Sequence, residues 1–185
     1  MNANEFAAEL EKKTKALEKY ARVEFPRMAG RKVLRFIDGN FRAQGWQGRS
    51  FLPWQRNKTN TTILIRRGTL RRSINMQTSD GMVRIYTNCP YARVHNRGFN
   101  GTVTVKAFTR NKYTATRIGT GRYTKNGNER MKTVHQVSGS SQVKSHIRKM
   151  NTPRRQFMPE SWDDSPVLVN ALRRDVIKAI KQIFN

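Results

Sequence analysis

The chain has one cysteine, Cys89, in 185 residues, so no intramolecular disulfide framework can staple it, and a reducing compartment is the natural setting. Acids are also scarce. Twelve Asp and Glu face thirty-seven Lys and Arg, and between residues 25 and 159 the acids are Asp38, Asp80 and Glu129 alone. That shortage leaves no carboxylate pair for a two-acid or two-metal hydrolase unless a partner supplies one. His135 and His146 lie far from any second ligand at metal spacing, so no metal is expected. The glycine-containing stretches "GTGR" and "GNER" lack the Lys-Ser/Thr of a phosphate loop, and no cofactor is expected. No apolar run approaches a membrane span, and "MNANEFAAELEKK" puts acids where a signal peptide needs an apolar stretch, so no membrane partner is expected either.

What the chain does have is positive charge. The formal net charge is +25, which favours nucleic acid, an acidic protein face or anionic lipid as partner. The charge is unevenly spread. Residues 1–25 hold five acids and five bases, whereas residues 97–155 hold fourteen bases and one acid, Glu129. A block of ten bases stands out as a candidate partner or nucleic-acid contact: Arg110, Lys112, Arg117, Arg122, Lys125, Arg130, Lys132, Lys144, Arg148 and Lys149. Tyr113 and Tyr123 could add stacking, but no helix-turn-helix, zinc-finger or RNA-recognition signature accompanies them. Any such contact would be electrostatic and blind to sequence.

Hydrophobic periodicity predicts a single domain in several parts. Phe6, Leu10, Leu17 and Tyr20 recur at helical spacing over 4–24, and Val33, Phe36, Ile37 and Phe41 resume it after Pro26, as a second helix or a kinked continuation. The helical N-terminal region is residues 1–45. An irregular connection pinned by Trp46 and Trp54 follows. The sheet core is expected over 63–108 and 151–162. Leu70, Arg72, Ile74 and Met76 alternate as one strand, Asp80-Gly81 marks a hairpin turn, and "MVRIYT" and "TVTVKAF" read as further strands. Residues 109–150 form a basic insertion, either a long mobile loop or an extended hairpin. Over 163–184 Leu168, Leu172, Val176, Ile180 and Ile183 make one helical stripe behind Ser165 and Pro166, expected to lie on the sheet.

"YTNCPYARVHNRGF", residues 86–99, brings Cys89 within six residues of His95. A nucleophile and base need an orienting third group and an oxyanion site, and no nearby residue supplies either. A packed thiol and a hydrogen-bonding imidazole are the expected reading, and no catalytic residue is assigned.

Taken in order, these pieces resemble the phage virion morphogenesis (tail completion) family. Gly68, Leu70, Ser73 and Ile74 match its Gly-x-Leu-x-x-Ser-Ile segment. Tyr91, Ala92, His95 and Gly98 match its Tyr-Ala-x-x-His motif and following glycine, and Pro153, Arg155 and Phe157 match its Pro-x-Arg-x-Phe segment. Two departures are plain: Pro159 stands where the family often has glycine, and the basic insertion is longer than usual. The resemblance implies a non-enzymatic structural protein of the virion, at the tail or head–tail junction, present in the host cytoplasm during assembly. Its partners would be other tail or neck proteins and its own copies in a ring, with a monomer in isolation left open. The rival reading is a non-specific nucleic-acid-binding protein using residues 109–150. The expected fold is α+β: an antiparallel sheet against long N- and C-terminal helices, with a long basic loop or β-ribbon inserted.

Overall fold

The computed structural model describes residues 2–57 and 59–185. It mixes helices with antiparallel strand pairs and divides into two compact units. One runs as far as Phe99 and resumes over Thr152–Asn185; the other is Asn100–Asn151.

In the first unit, helix α1 (Ala3–Lys19) opens on a reciprocal cap. The Asn2 side chain accepts from the Glu5 N–H, and the Glu5 carboxylate accepts from the Asn2 N–H. A π turn, Tyr20–Glu24, carries the chain without a break into α2 (Phe25–Ala43). Pro26 gives the physical reason. It has no N–H to donate, and its ring crowds the carbonyl four residues back, that of Arg22. That carbonyl instead accepts from the Gly81 N–H at 2.8 Å, while the Arg22 Nε donates to Asp80 Oδ1 at 2.8 Å. The proline thus frees a backbone acceptor that a distant hairpin uses.

Gln44, in the left-handed conformation at φ 56°, ends α2. The connection that follows contains a short hairpin, β1 (Gly45–Gln47) with β2 (Phe51–Pro53), and both Trp46 and Trp54 are buried beside it. The strand expected from Leu70 begins later. Thr69–Arg72 is a helical turn, α3, entered through Gly68 at φ 67°, a backbone setting that glycine adopts without a Cβ penalty. Leu70 alternates like a strand residue but is core because this turn points it inward, leaving it 2% exposed. Strand β3 (Ile74–Ser79) then pairs with β4 (Met82–Thr87) around the Asp80-Gly81 turn. Helix α2 lies so close to this hairpin that a Cβ on Gly30 would come within 2.8 Å of both Met76 Sδ and Val83 Cγ2.

Helix α5 (Pro166–Phe184) starts at Ser165, whose Oγ accepts from the Leu168 N–H and donates to the Gln47 carbonyl. Its stripe corrects the sequence reading. Leu168 and Leu172 join Ala29 of α2 in a buried cluster flanked by Phe25, Met28, Val33 and Phe36 and, from β4, by Val83 alone, so the main partner is a helix and the sheet contributes little. Ile180, on the same stripe, is 38% exposed. Leu172→Ala should therefore cost about 2–5 kcal/mol. Ile180→Ala should cost less than that, as a difference in urea midpoints will show.

In the second unit, apart from the end residues Phe99 and Thr152, β5 (Phe99–Val105) pairs with β8 (His146–Thr152). The basic segment forms a long antiparallel ribbon, β6 (Phe108–Tyr123) against β7 (Glu129–Val143), with register shifts at Lys112/Tyr113 and Gly119/Tyr123.

Candidate functional site

The stretch around Cys89 and His95 is a joint that seats an extended segment in the core. After β4 the chain turns at Pro90 into α4 (Ala92–Arg97), which ends at Gly98. Gly98 sits at φ 77°, and a Cβ there would lie 3.0 Å from the Arg154 nitrogen, so both its conformation and the close backbone approach call for glycine.

Residues 153–158 belong to no helix or strand, yet Gln156 and Phe157 within them are buried. Such a segment must find partners for its polar backbone. The Arg155 N–H donates to the His95 carbonyl at 2.8 Å. The Gln156 carbonyl accepts from Trp54 Nε1 at 2.9 Å. The Phe157 carbonyl accepts from Asn40 Nδ2 at 3.1 Å. Asn96 meets the rest: its Oδ1 accepts from the N–H groups of Phe157 and Met158, both at 2.9 Å, and its Nδ2 donates to the Met158 carbonyl at 3.1 Å. Asn96 acts here as a short strand made of one side chain. Phe157 fills the space this creates, 1% exposed, with its ring 5.2 Å from that of Phe41, which in turn meets Trp54 edge-on at 5.6 Å.

Charged groups close the joint from outside. Arg97 Nε donates to Glu160 Oε1 at 2.8 Å, and Asn96 Nδ2 donates to the same oxygen. The Arg97 hydrogen bond holds the Glu160 carboxyl below its ordinary 4.5, against a smaller opposing effect of burial and with further help from Asn96. A depressed carboxyl stabilises the fold fully above its unfolded value, and the contribution disappears as pH falls through the lower folded value. Glu160→Gln should thus destabilise at neutral pH, and the gap from the parent should narrow as pH falls below the ordinary carboxylate range, as urea titrations at neutral and acidic pH would show.

The residues singled out from the sequence fall into two groups. Ser73 Oγ donates to the Leu70 carbonyl at 2.8 Å and lies 2.6 Å from Thr87 Oγ1, which accepts from the Cys89 N–H; these contacts close the base of the β3–β4 hairpin where Ile74 pairs with Thr87. Leu70, Cys89, Ala92 and Phe157 share one buried cluster with Ile37, Phe41, Trp54 and Ile63. The Arg155 guanidinium donates to the Gln55 carbonyl. Tyr91 stands edge-on to the His95 ring at 5.8 Å. Burial, then the nearby Arg155 charge, lowers the His95 pKa; contrary to the hydrogen-bonding imidazole expected from the sequence, its Nδ1 is buried without a hydrogen-bond partner among the described residues. Among the described residues no carboxylate bonds to His95, and no group of three or more His, Cys, Asp or Glu could hold a metal. The ten bases of the insertion form the second group, on and beside the ribbon of the other unit.

Sequence reasoning missed Asn96 and Glu160. An asparagine between His95 and Arg97 reads as an ordinary surface polar residue, and nothing local shows that its partners lie about sixty positions later.

Residues 5–123 match the family model described as the phage virion morphogenesis family. The chain belongs to that family. The match spans the motifs from Gly68 to Gly98 and ends before Pro153, Arg155 and Phe157, which the fold nevertheless brings against the second motif. No curated protein and no solved structure matches the chain. Family membership makes this a phage morphogenesis protein associated with the virion. Among the described residues, no helix is long and apolar enough to cross a membrane.

Proposed function

We propose that the chain is a tail completion or head–tail joining subunit that works as a ring of identical copies bound to other tail or neck proteins. The role is structural: it shapes and joins particles in the host cytoplasm and stays with the virion, and no catalytic residue is involved. The observation that carries this reading is the family match over residues 5–123.

Helix α1 supports assembly with a second protein surface. It is amphipathic, yet none of its residues is buried, and Phe6 and Leu10 are 56% and 51% exposed. Lys13 Nζ donates to the Phe184 carbonyl, so α1 and the end of α5 lie side by side, with Ile177 and Phe184 also exposed. Exposed apolar side chains at helical spacing are the usual anchors of helix-mediated association. The charge also fits. Residues 1–25 are balanced, with Glu9–Lys13 and Glu11–Lys15 paired along α1, so copies meeting there avoid the repulsion of a +25 chain.

The test is genetic and biochemical. A phage lacking this gene should accumulate unjoined heads and unfinished tails, and the purified chain should restore joined particles in such a lysate. Phe6→Glu with Leu10→Glu should abolish that rescue and lower the assembly mass seen by light scattering. Normal joined particles in the absence of the gene would overturn the reading.

A further inference from the structure

We infer that the β6–β7 ribbon is a nucleic-acid-binding element that grips the phosphate backbone through one face, without reading sequence. This stands apart from the tail reading and rests on the second unit alone.

The ribbon is unusually bare. Its strands are 16 and 15 residues long, a span of roughly 50 Å, and every residue of β6 is exposed. A two-stranded ribbon without a third strand or a covering helix is marginally stable alone, so a surface of this length is built to be covered. The charge states the chemistry of the cover. Residues 100–151 hold eleven Lys and Arg and one acid, Glu129. Glu129 is engaged at the tip of the ribbon, where its carboxylate accepts from the Gly121 N–H. Among the described residues, the ion pairs all lie in the other unit, so the bases here carry unneutralised charge. A second copy of the ribbon would be repelled.

Register separates the two faces. Arg110 lies opposite Ser141, Lys112 opposite Gly139, Thr114 opposite Gln136, Thr116 opposite Val134 and Ile118 opposite Lys132. Residues directly opposite share a face, and alternate residues along a strand return to it. Arg110, Lys112 and Lys132 therefore stand on one side, together with Thr114, Thr116 and Gln136 and with the apolar Ile118 and Val134. Tyr113 and Val137, both 59% exposed, stand on the other with Arg117, so most but not all of the paired cations share one face. Cations interspersed with hydroxyl and amide groups are the side chains that contact phosphate oxygens. The centre of a protein–protein interface is by contrast poor in charge, which favours nucleic acid over an acidic protein for this face. The shape agrees, because the major groove of duplex DNA admits a two-stranded ribbon.

The test uses the full chain and labelled duplex DNA of two unrelated sequences, with affinity read by fluorescence anisotropy from about 50 to about 200 mM salt. We expect equal binding to both sequences, falling steeply with salt. The triple variant Arg110→Gln, Lys112→Gln, Lys132→Gln should lose more than about tenfold in affinity at low salt and reduce the log–log salt slope by about 2–3, near 0.9 for each contact removed. The charge-preserving pair Arg110→Lys and Lys112→Arg should bind like the parent, which separates lost charge from misfolding. An unchanged slope in the triple variant, no DNA binding by the parent at the lowest salt, or capture of polyglutamate in place of DNA would each overturn the assignment.

Discussion

Replacing Asn96 by alanine should remove about 3–5 kcal/mol of folding stability, a large share of the ~5–15 kcal/mol that a domain holds in total. The loss follows from counting the groups left behind. The Phe157 N–H, the Met158 N–H and the Met158 carbonyl would all lose their partner, and each buried polar group without one costs about 1–3 kcal/mol, less where water can reach it. Asn96→Asp separates the two halves of the role. It keeps an acceptor for the two N–H groups, loses the donor, and puts a second carboxylate beside Glu160, whose Oε1 now accepts from Asn96 Nδ2 at 2.8 Å. Its penalty should shrink in mild acid, where one of the two carboxylates can take a proton. Urea unfolding followed by tryptophan fluorescence measures both variants. A cost below about 1 kcal/mol for the alanine variant would mean that the 153–158 segment is held in some other way.

Phe157→Ala should cost about 3–5 kcal/mol, since the ring is 1% exposed and its removal opens a cavity against Phe41. The effect should reach Trp54, which packs on Phe41 and whose indole N–H donates to the Gln156 carbonyl next to Phe157 in the chain. Near-ultraviolet circular dichroism should therefore lose part of its tryptophan signal in the folded variant. A double-mutant cycle with Trp54→Phe should show a coupling of about 0.5–3 kcal/mol, because the two side chains share one aromatic cluster. Additive costs would show that Phe157 is buried independently of the tryptophan.

Both variants strike the same feature, a segment with no regular structure that the family motifs converge on. His95 contributes its backbone carbonyl to it, Gly98 its conformation, and Phe157 its volume. Cys89 is a packed thiol at the foot of the β3–β4 hairpin, in the cluster that holds Phe157. What the residues share is the task of seating one strand-like segment without a neighbouring strand.

Where a single stretch of chain carries its own instructions, the sequence was enough. The Asp80-Gly81 turn between alternating strands, the Ser165-Pro166 start of α5, the helical spacing from Phe6 to Phe41 and the concentration of charge in residues 97–155 all depend on neighbours a few positions away. Caps, turns and periodicity are local, and the family motifs could be read in the same way. Other features depend on what arrives from elsewhere. Leu70 and Arg72 alternate like a strand but form a helical turn, because Gly68 adopts a left-handed conformation and the core takes Leu70 from that side. The α5 stripe is continuous in sequence, yet its burial weakens along the helix, because α2 covers Leu168 and Leu172 and leaves Ile180 38% exposed. The freed Arg22 carbonyl is met by Gly81, fifty-nine positions later, and Asn96 meets backbone groups sixty-one and sixty-two positions later. A hydrogen-bonding side chain carries no mark of a partner that far along the chain, and only folding brings the two within 3 Å.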